Sequence, residues 1–253
     1  MAKCALIGNP ISHSKSPALF KAAYGEGNHT YTLLEAPTCK EAMHKFMEEG
    51  FTGTNVTSPF KDEVMEYISI PDSISSLLGS ANTVLLKEGK LHSWNTDYYG
   101  VKNTLEQLLP ADLREKKITA LAIGAGGAGK AAALAVKDMG MELFFANRSA
   151  ATAKPFAQKI GGEYIPLDKI PAVLPKADII LYNLSVPIDQ FKGANLQGKI
   201  VFEANYAHPN LTGLGASLYI DGRYWLYNQA IPAFKLFTGD NPDISAMKRI
   251  MGL

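Results

Sequence analysis

Ile118-Thr119-Ala120-Leu121-Ala122-Ile123-Gly124-Ala125-Gly126-Gly127-Ala128-Gly129 frames the reading of the whole chain. Residues 118–123 form a short apolar run of the kind a buried parallel strand shows. A glycine-rich turn follows at once and opens an Ala-rich segment that reads as helix from about Gly126 to Met139. Glycine patterns alone are weak signals, because small residues also serve close packing of a helix on a strand. The strand before and the helix after make this one specific, since dinucleotide binding needs that order. Gly124 allows the tight turn, Gly126 lets backbone approach a pyrophosphate, and Gly129 allows close helix–strand packing. Gly127 and Ala128 complete the turn, where free N–H groups and the positive end of the helix favour phosphate.

The pattern continues downstream. The strand Glu142–Ala146 ends in Asn147-Arg148-Ser149, and Arg148 lies 19 positions after Gly129 (148 − 129). An acidic residue near that place would bind the ribose of NAD and repel a 2′-phosphate. A guanidinium beside a hydroxyl binds such a phosphate, so Asn147, Arg148 and Ser149 point to NADP. The bland alternative is a surface arginine after a strand. Residues 178–182, 199–202 and 217–220 are further short apolar strands. A second unit begins near Tyr99, with a helix from about Gly100 to Leu109 and a polar run over residues 114–117 before the glycine strand.

Upstream, Cys4-Ala5-Leu6-Ile7 reads as the first strand, stopped by Gly8-Asn9-Pro10. Ser16 is expected to cap a helix whose first position is Pro17. Residues 53–57 read as a strand, Lys61 onward as a helix to about Ile68, and residues 80–86 with 90–94 as a strand pair turning at Glu88-Gly89. From Trp225 to about Leu236 the spacing is helical. The expected class is α/β, with two domains and a ligand cleft between them.

Composition narrows the partners. The 253 residues carry 25 Lys and Arg against 24 Asp and Glu, so no net field favours a nucleic acid or an acidic membrane surface. No apolar run is long enough to span a bilayer. The start lacks a long signal-peptide core, and the chain reads as a cytoplasmic protein. Cys4 and Cys39 have neither metal nor redox spacing, and reduced, buried thiols are expected. No pair of histidines has zinc-ligand spacing, and no metal site is expected.

Two polar clusters stand in the first 100 residues: Asn55-Val56-Thr57-Ser58-Pro59-Phe60-Lys61 and Asn95-Thr96-Asp97. Singly, the lysine reads as a solvated charge and the triplet as a helix cap. A third, Ser12-His13-Ser14-Lys15-Ser16-Pro17, offers hydroxyls beside a helix start and suits a carboxylate. Together with Gly8-Asn9-Pro10-Ile11, Ala81-Asn82-Thr83, the glycine loop and the closing Gln229-Ala230, Ala233-Phe234 and Thr238-Gly239, these segments resemble the shikimate dehydrogenase family over nearly the whole chain.

The resemblance implies a substrate-binding α/β domain over residues 1–98, completed by helices at 226–253. A Rossmann-type NADP-binding domain takes residues 99–225. It implies NADP-dependent reduction of 3-dehydroshikimate to shikimate, by a monomer or a homodimer. Ser14 and Ser16 would bind the substrate carboxylate. Thr57, Asn82 and Gln229 would bind ring hydroxyls, with Tyr206 a further contact. Lys61 and Asp97 would meet the oxygen at the reacting carbon. Negative charge grows on that oxygen as hydride adds, so a nearby ammonium both stabilises it and supplies a proton. Which member of the pair carries the proton stays open, and the two are best treated as one coupled unit.

Departures from the family pattern gather in or near the nucleotide half: Thr152 for a second basic residue, Asn183-Leu184-Ser185 for Asn-Ala-Thr, two residues between Tyr206 and Pro209, and Asp221-Gly222-Arg223-Tyr224-Trp225-Leu226 for Asp-Gly-Leu-Gly-Met-Leu. Tyr98 also replaces a glycine. Tyr224 would either obstruct the nicotinamide or point away and leave Trp225 as part of a pocket wall. Rival readings are a quinate or dual quinate/shikimate dehydrogenase, a ligand-binding protein with a weakened cofactor site, and another two-domain NADP enzyme such as a methylenetetrahydrofolate dehydrogenase.

Overall fold

The computed structural model describes residues 1–25, 27–114 and 116–253. Glu115, inside the polar run expected before the glycine strand, lies outside the described residues. The chain divides into two compact units, Met1–Gly100 with Leu226–Leu253, and Val101–Trp225. The first runs β1 (Lys3–Gly8), α1 (Ser16–Tyr24), β2 (Thr30–Glu35), α2 (Cys39–Glu48), β3 (Gly53–Val56), β4 (Ile70–Pro71), α3 (Ser73–Leu78), β5 (Thr83–Lys87) and β6 (Lys90–Trp94). After α4 (Asp97–Leu108) come a short α5 (Ala111–Arg114), β7 (Thr119–Ile123), α6 (Gly127–Asp138), β8 (Glu142–Ala146), α7 (Ala150–Lys159) and β9 (Glu163–Ile165). The chain continues with α8 (Ile170–Val173), β10 (Ile179–Tyr182), β11 (Ile200–Glu203), β12 (Leu218–Asp221), α9 (Gly222–Thr238) and α10 (Ile244–Met251).

The first unit holds a mixed sheet in the order β2-β1-β3-β5-β6-β4. Successive strand residues face opposite sides, and β1 shows the consequence. Cys4 joins Leu19, Phe20, Phe234, Phe237 and Met247 on the face covered by α1, α9 and α10. Ala5 and Ile7 join Phe46, Phe51, Phe60 and Val64 on the other face. Close packing sets one residue: a Cβ on Gly53 would come 2.5 Å from the Phe237 ring. The β5–β6 hairpin turns through Glu88 (φ 52°) and Gly89 (φ 71°), the two successive positive values that a tight hairpin of right-handed twist needs.

The second unit is an all-parallel sheet in the order β12-β11-β10-β7-β8-β9. Numbered within the unit this is 6-5-4-1-2-3, the doubly wound dinucleotide-binding order. Its strands β7, β10 and β11 are almost fully buried, as the short apolar runs required. The order reverses between β7 and β10, and ligands of such sheets bind at the carboxyl ends there.

Five local expectations need correction. Lys15, not Ser16, is the N-cap of α1, with no side-chain cap bond; Ser16 is already helical, and its N–H instead bonds the Ser14 hydroxyl at 3.2 Å. No α-helix follows Lys61: residues 58–62 are turns, and residues 63–67 a short 3-10 helix, entered through a cis Ser58–Pro59 bond. The strand expected from residue 80 begins at Thr83: Ala81 N–H is drawn to the Lys61 carbonyl, and the Asn82 side chain bonds within the site described below. The last long helix starts three residues before Trp225, at Gly222, and α4 starts at Asp97 rather than Gly100.

Candidate active site

Lys61 and Asp97 meet in the first unit. Lys61 Nζ lies 2.5 Å from Asp97 Oδ2, with side chains 17% and 8% exposed. Three features place the lysine. Phe60 beside it is buried in the core, the turn closes by Phe60 N–H to the Thr57 carbonyl at 3.0 Å, and Ala81 N–H donates to the Lys61 carbonyl at 2.9 Å. Asp97 opens the twelve-residue α4, where the positive end of the helix favours a carboxylate. The Asn-Thr-Asp triplet therefore does begin a helix, but its aspartate also pairs with a cation from another segment.

Asn82 is the hub next to this pair. Its Oδ1 accepts from Thr96 N–H at 2.6 Å and from the Thr96 and Thr83 hydroxyls at 3.1 Å each. Its Nδ2 donates to Gln229 Oε1 at 3.2 Å. Gln229 Oε1 also takes Thr96 Oγ1 at 3.1 Å, while Gln229 Nε2 donates to the Leu226 carbonyl at 3.1 Å. The carbonyl ends of both amides are thus taken up by protein, so each offers a ligand only amide hydrogens. The bond between residues 82 and 229 joins segments 147 positions apart, which brings the closing helix to the N-terminal cluster.

The other first-unit candidates lie on neighbouring turns. Thr57 is half-buried and its N–H donates to the Ile7 carbonyl at 2.9 Å. A Cβ on Gly8 would overlap the Thr57 side chain, so the opening segment and the Thr57 turn pack closely. Ser14 is half-buried and Ser16 buried. Sequence reading missed the support layer. Asn55 Oδ1 accepts from the Tyr31 hydroxyl at 2.9 Å, and its Nδ2 donates to the Asn82 carbonyl and Thr83 Oγ1 at 3.1 Å each. The available signal was that Asn55, Thr83, Asn95 and Thr96 are polar residues inside otherwise apolar strand ends.

In the second unit the glycines have separable jobs. Gly124 has φ 96°, a left-handed conformation other residues avoid. A Cβ on Gly129 would overlap the Gly124 carbonyl, so Gly129 serves helix–strand packing. Gly126 has an ordinary φ of −75°, and a Cβ there would meet nothing within 4 Å. Neither backbone nor packing requires glycine at 126, which leaves an external ligand as the reason. Gly126 is the N-cap of α6 and offers the first-turn N–H groups of Gly127, Ala128 and their neighbours no side-chain cap. These residues fit a pyrophosphate. Gly126→Ala is accordingly expected to keep the melting temperature of the wild type and weaken NADPH, whereas Gly129→Ala loses stability. Thermal melts and NADPH titration read both, and a stable Gly129→Ala protein would contradict the packing assignment.

Asn147 braces this turn: its Oδ1 accepts from Ala125 N–H at 3.3 Å and its Nδ2 donates to the Ser149 carbonyl at 3.1 Å. Arg148 and Ser149 follow, exposed at the start of α7. Tyr206 lies on the loop after β11 and is half-buried. Trp225 is 4% exposed and packs on Phe202, with ring centroids 5.5 Å apart. Cys4 and Cys39 are free, and burial pushes each thiol up to about 11. Among the described residues no group of His, Cys, Asp or Glu could hold a metal ion, and no helix is long and apolar enough to cross a membrane.

Comparison with known proteins finds relatives of both units. Residues 6–84 match the family model of the shikimate dehydrogenase substrate binding domain, and residues 105–193 that of shikimate / quinate 5-dehydrogenase. The chain is 33% identical to the shikimate dehydrogenase (NADP(+)) of Natronomonas pharaonis, over 97% of each. The crystal structure of shikimate dehydrogenase from Aquifex aeolicus is 29% identical, with a TM-score of 0.87 over 99% of this chain and 97% of that one. Shikimate 5-dehydrogenase from Thermus thermophilus, solved with NADP(H) and shikimate, is 27% identical, with a TM-score of 0.83 over 100% and 99%.

Proposed function

The chain belongs to the shikimate dehydrogenase family, and on that premise we propose that Lys61 and Asp97 flank the reacting oxygen as it interconverts 3-dehydroshikimate and shikimate with NADP(H). It is an NADP-dependent oxidoreductase acting on a CH–OH group, and the reaction is a step of the shikimate pathway towards chorismate and the aromatic amino acids. The observation that carries the catalytic reading is the 2.5 Å Lys61–Asp97 pair, held in partly buried surroundings beside the Asn82–Gln229 amides.

NADPH, when bound, supplies the hydride. The chain's own residues supply the rest. Gly126, Gly127 and Ala128 receive the pyrophosphate on the turn that Gly124 and Gly129 shape, and Arg148 with Ser149 the 2′-phosphate, on a turn braced by Asn147. Ser14 and Ser16 donate to the substrate carboxylate. Thr57 and the amide hydrogens of Asn82 and Gln229 address ring hydroxyls, and Tyr206 adds a contact. As the carbonyl carbon gains hydride, its π electron pair moves to oxygen. Lys61 stabilises that charge, and the Lys61–Asp97 unit delivers the proton that completes the alcohol. Oxidation of shikimate returns the proton to the same unit. We place the enzyme in the cytoplasm, as a monomer or a homodimer.

Incubation with 3-dehydroshikimate and NADPH tests this reading: shikimate should form mole for mole with NADPH consumed. No consumption by folded protein would overturn it.

The Tyr224 departure bears on the reading of a weakened cofactor site. Tyr224 is half-buried in the first turn of α9. A Cβ on Gly222 would overlap the Ala204 carbonyl, and Arg223 is ion-paired to Asp221 at 2.7 Å. With Trp225 in the core, the turn is held from both sides of Tyr224. The expectation is that Tyr224→Gly binds NADPH no better than wild type. A clear gain in affinity on titration would revive the obstructed site.

A further inference from the structure

Glu203, the last residue of β11, has no exposed surface. Four donors converge on its carboxylate. Oε1 accepts from Asn210 N–H at 2.5 Å and Asn210 Nδ2 at 3.0 Å. Oε2 accepts from Leu211 N–H at 3.0 Å and the Tyr219 hydroxyl at 2.8 Å. Burial pushes the Tyr219 phenol well above its usual range, so it remains a donor. Among the described residues no cation pairs with Glu203. A buried carboxylate without a cation is costly unless hydrogen bonds replace its water, and here they do. An apolar side chain of similar volume would fill the space without that cost. What it could not do is hold the backbone of residues 210 and 211.

That backbone is the far end of the loop that carries Tyr206. The near end is pressed between Ala204 and Gly222, where a Cβ would overlap the Ala204 carbonyl. The middle is tied by Asn205, whose Oδ1 accepts from Ala207 N–H at 3.2 Å and His208 N–H at 3.0 Å, and whose Nδ2 donates to the His208 carbonyl at 2.8 Å. Two residues separate Tyr206 from Pro209 where the family pattern has one, so the loop has an extra residue to accommodate. Asn205 and Glu203 close it from within.

We propose that Glu203 is a positioning residue: its carboxylate templates the 204–211 loop and thereby sets Tyr206 for substrate. This rests on the reading of Tyr206 as a substrate contact. Glu203→Gln keeps the shape and turns one acceptor oxygen into an NH₂ group, so two of the four donors lose their partner.

The test is steady-state kinetics of Glu203→Gln, Tyr206→Phe and the double variant, with shikimate varied at saturating NADP+ and the reverse. Tyr206→Phe is expected to raise the shikimate KM about 2- to 12-fold, the worth of one neutral hydrogen bond. Glu203→Gln should raise it by up to the same factor, with kcat and the KM for NADP+ unchanged. In the Tyr206→Phe background it should add nothing. Asn210→Ala, which removes the 3.0 Å side-chain bond to Glu203 and a 3.4 Å bond to the His208 carbonyl, should act in the same direction and serves if Glu203→Gln does not fold. An unchanged shikimate KM in Tyr206→Phe ends the Tyr206 assignment, and the positioning role with it. A raised KM there, with Glu203→Gln and Asn210→Ala silent or acting equally in both backgrounds, ends the positioning role alone.

Discussion

Lys61→Ala is expected to lower turnover about 100- to 10,000-fold, the usual worth of a positioned general acid, while shikimate still binds. The lysine lies 2.5 Å from Asp97, but the carboxylate of shikimate is assigned to Ser14 and Ser16, and its hydroxyls to Thr57, Asn82 and Gln229. None of these depends on Lys61 Nζ for its hydrogen bonds in the structure. The substitution removes the cation beside Asp97, whose side chain is 8% exposed. Loss of a cation beside a buried carboxylate destabilises, so a melting curve must accompany the kinetics. Folded Lys61→Ala protein that binds shikimate in a direct titration and turns over near the wild-type rate would remove the lysine from the mechanism.

Arg148→Ala should weaken NADP relative to NAD by roughly 10- to 150-fold, the range for losing one charged hydrogen bond. Arg148 is exposed, so solvent and salt screen its charge, and the low end of that range is expected at physiological ionic strength. The gap between the two cofactors should narrow further as salt rises. Thr152 stands where relatives often carry a second basic residue. Its hydroxyl bonds Ser149 Oγ at 3.2 Å, which orients that serine but brings no charge to compensate. Specificity constants for both cofactors, measured with wild type and Arg148→Ala, check this. An unchanged ratio would mean that the arginine does not read the 2′-phosphate.

The second unit was the more legible half, for a physical reason. Its parallel strands are buried on both faces and read as unbroken apolar runs, and the Gly124 loop carries its mechanism in its spacing. The strand order was not readable from these runs, because pairing partners depend on where α6 and α7 pack. In the first unit, β2 went unread: it lies at the sheet edge, with Thr30, Thr32, Leu33 and Glu35 exposed, and so lacks apolar alternation. α2 also went unread, although Thr38 and Glu41 have capping-box spacing and the Thr38 hydroxyl does accept from Glu41 N–H at 3.2 Å. The helix expected after Lys61 failed because helix propensity lost to tertiary bonds, with the Lys61 carbonyl drawn to Ala81.

The candidate site shows the same division. Motif residues such as Lys61, Asp97 and Asn82 could be picked from their clusters, and Gln229 through the resemblance. Asn55, Thr83 and Thr96 stood in those clusters as polar residues at strand ends, but their bonds, and that of Tyr31, join distant segments and were not readable. Glu203, just past the apolar run at 199–202, drew no reading, because its role lies in the four donors that residues 210, 211 and 219 bring to it.

The most direct test of the whole account is the specificity constant of the purified protein for each pairing of NADP+ or NAD+ with shikimate or quinate, followed by reduced-nicotinamide absorbance. The account predicts that shikimate with NADP+ exceeds the other three pairings. Equal or faster oxidation of quinate, or a preference for NAD+, would contradict it.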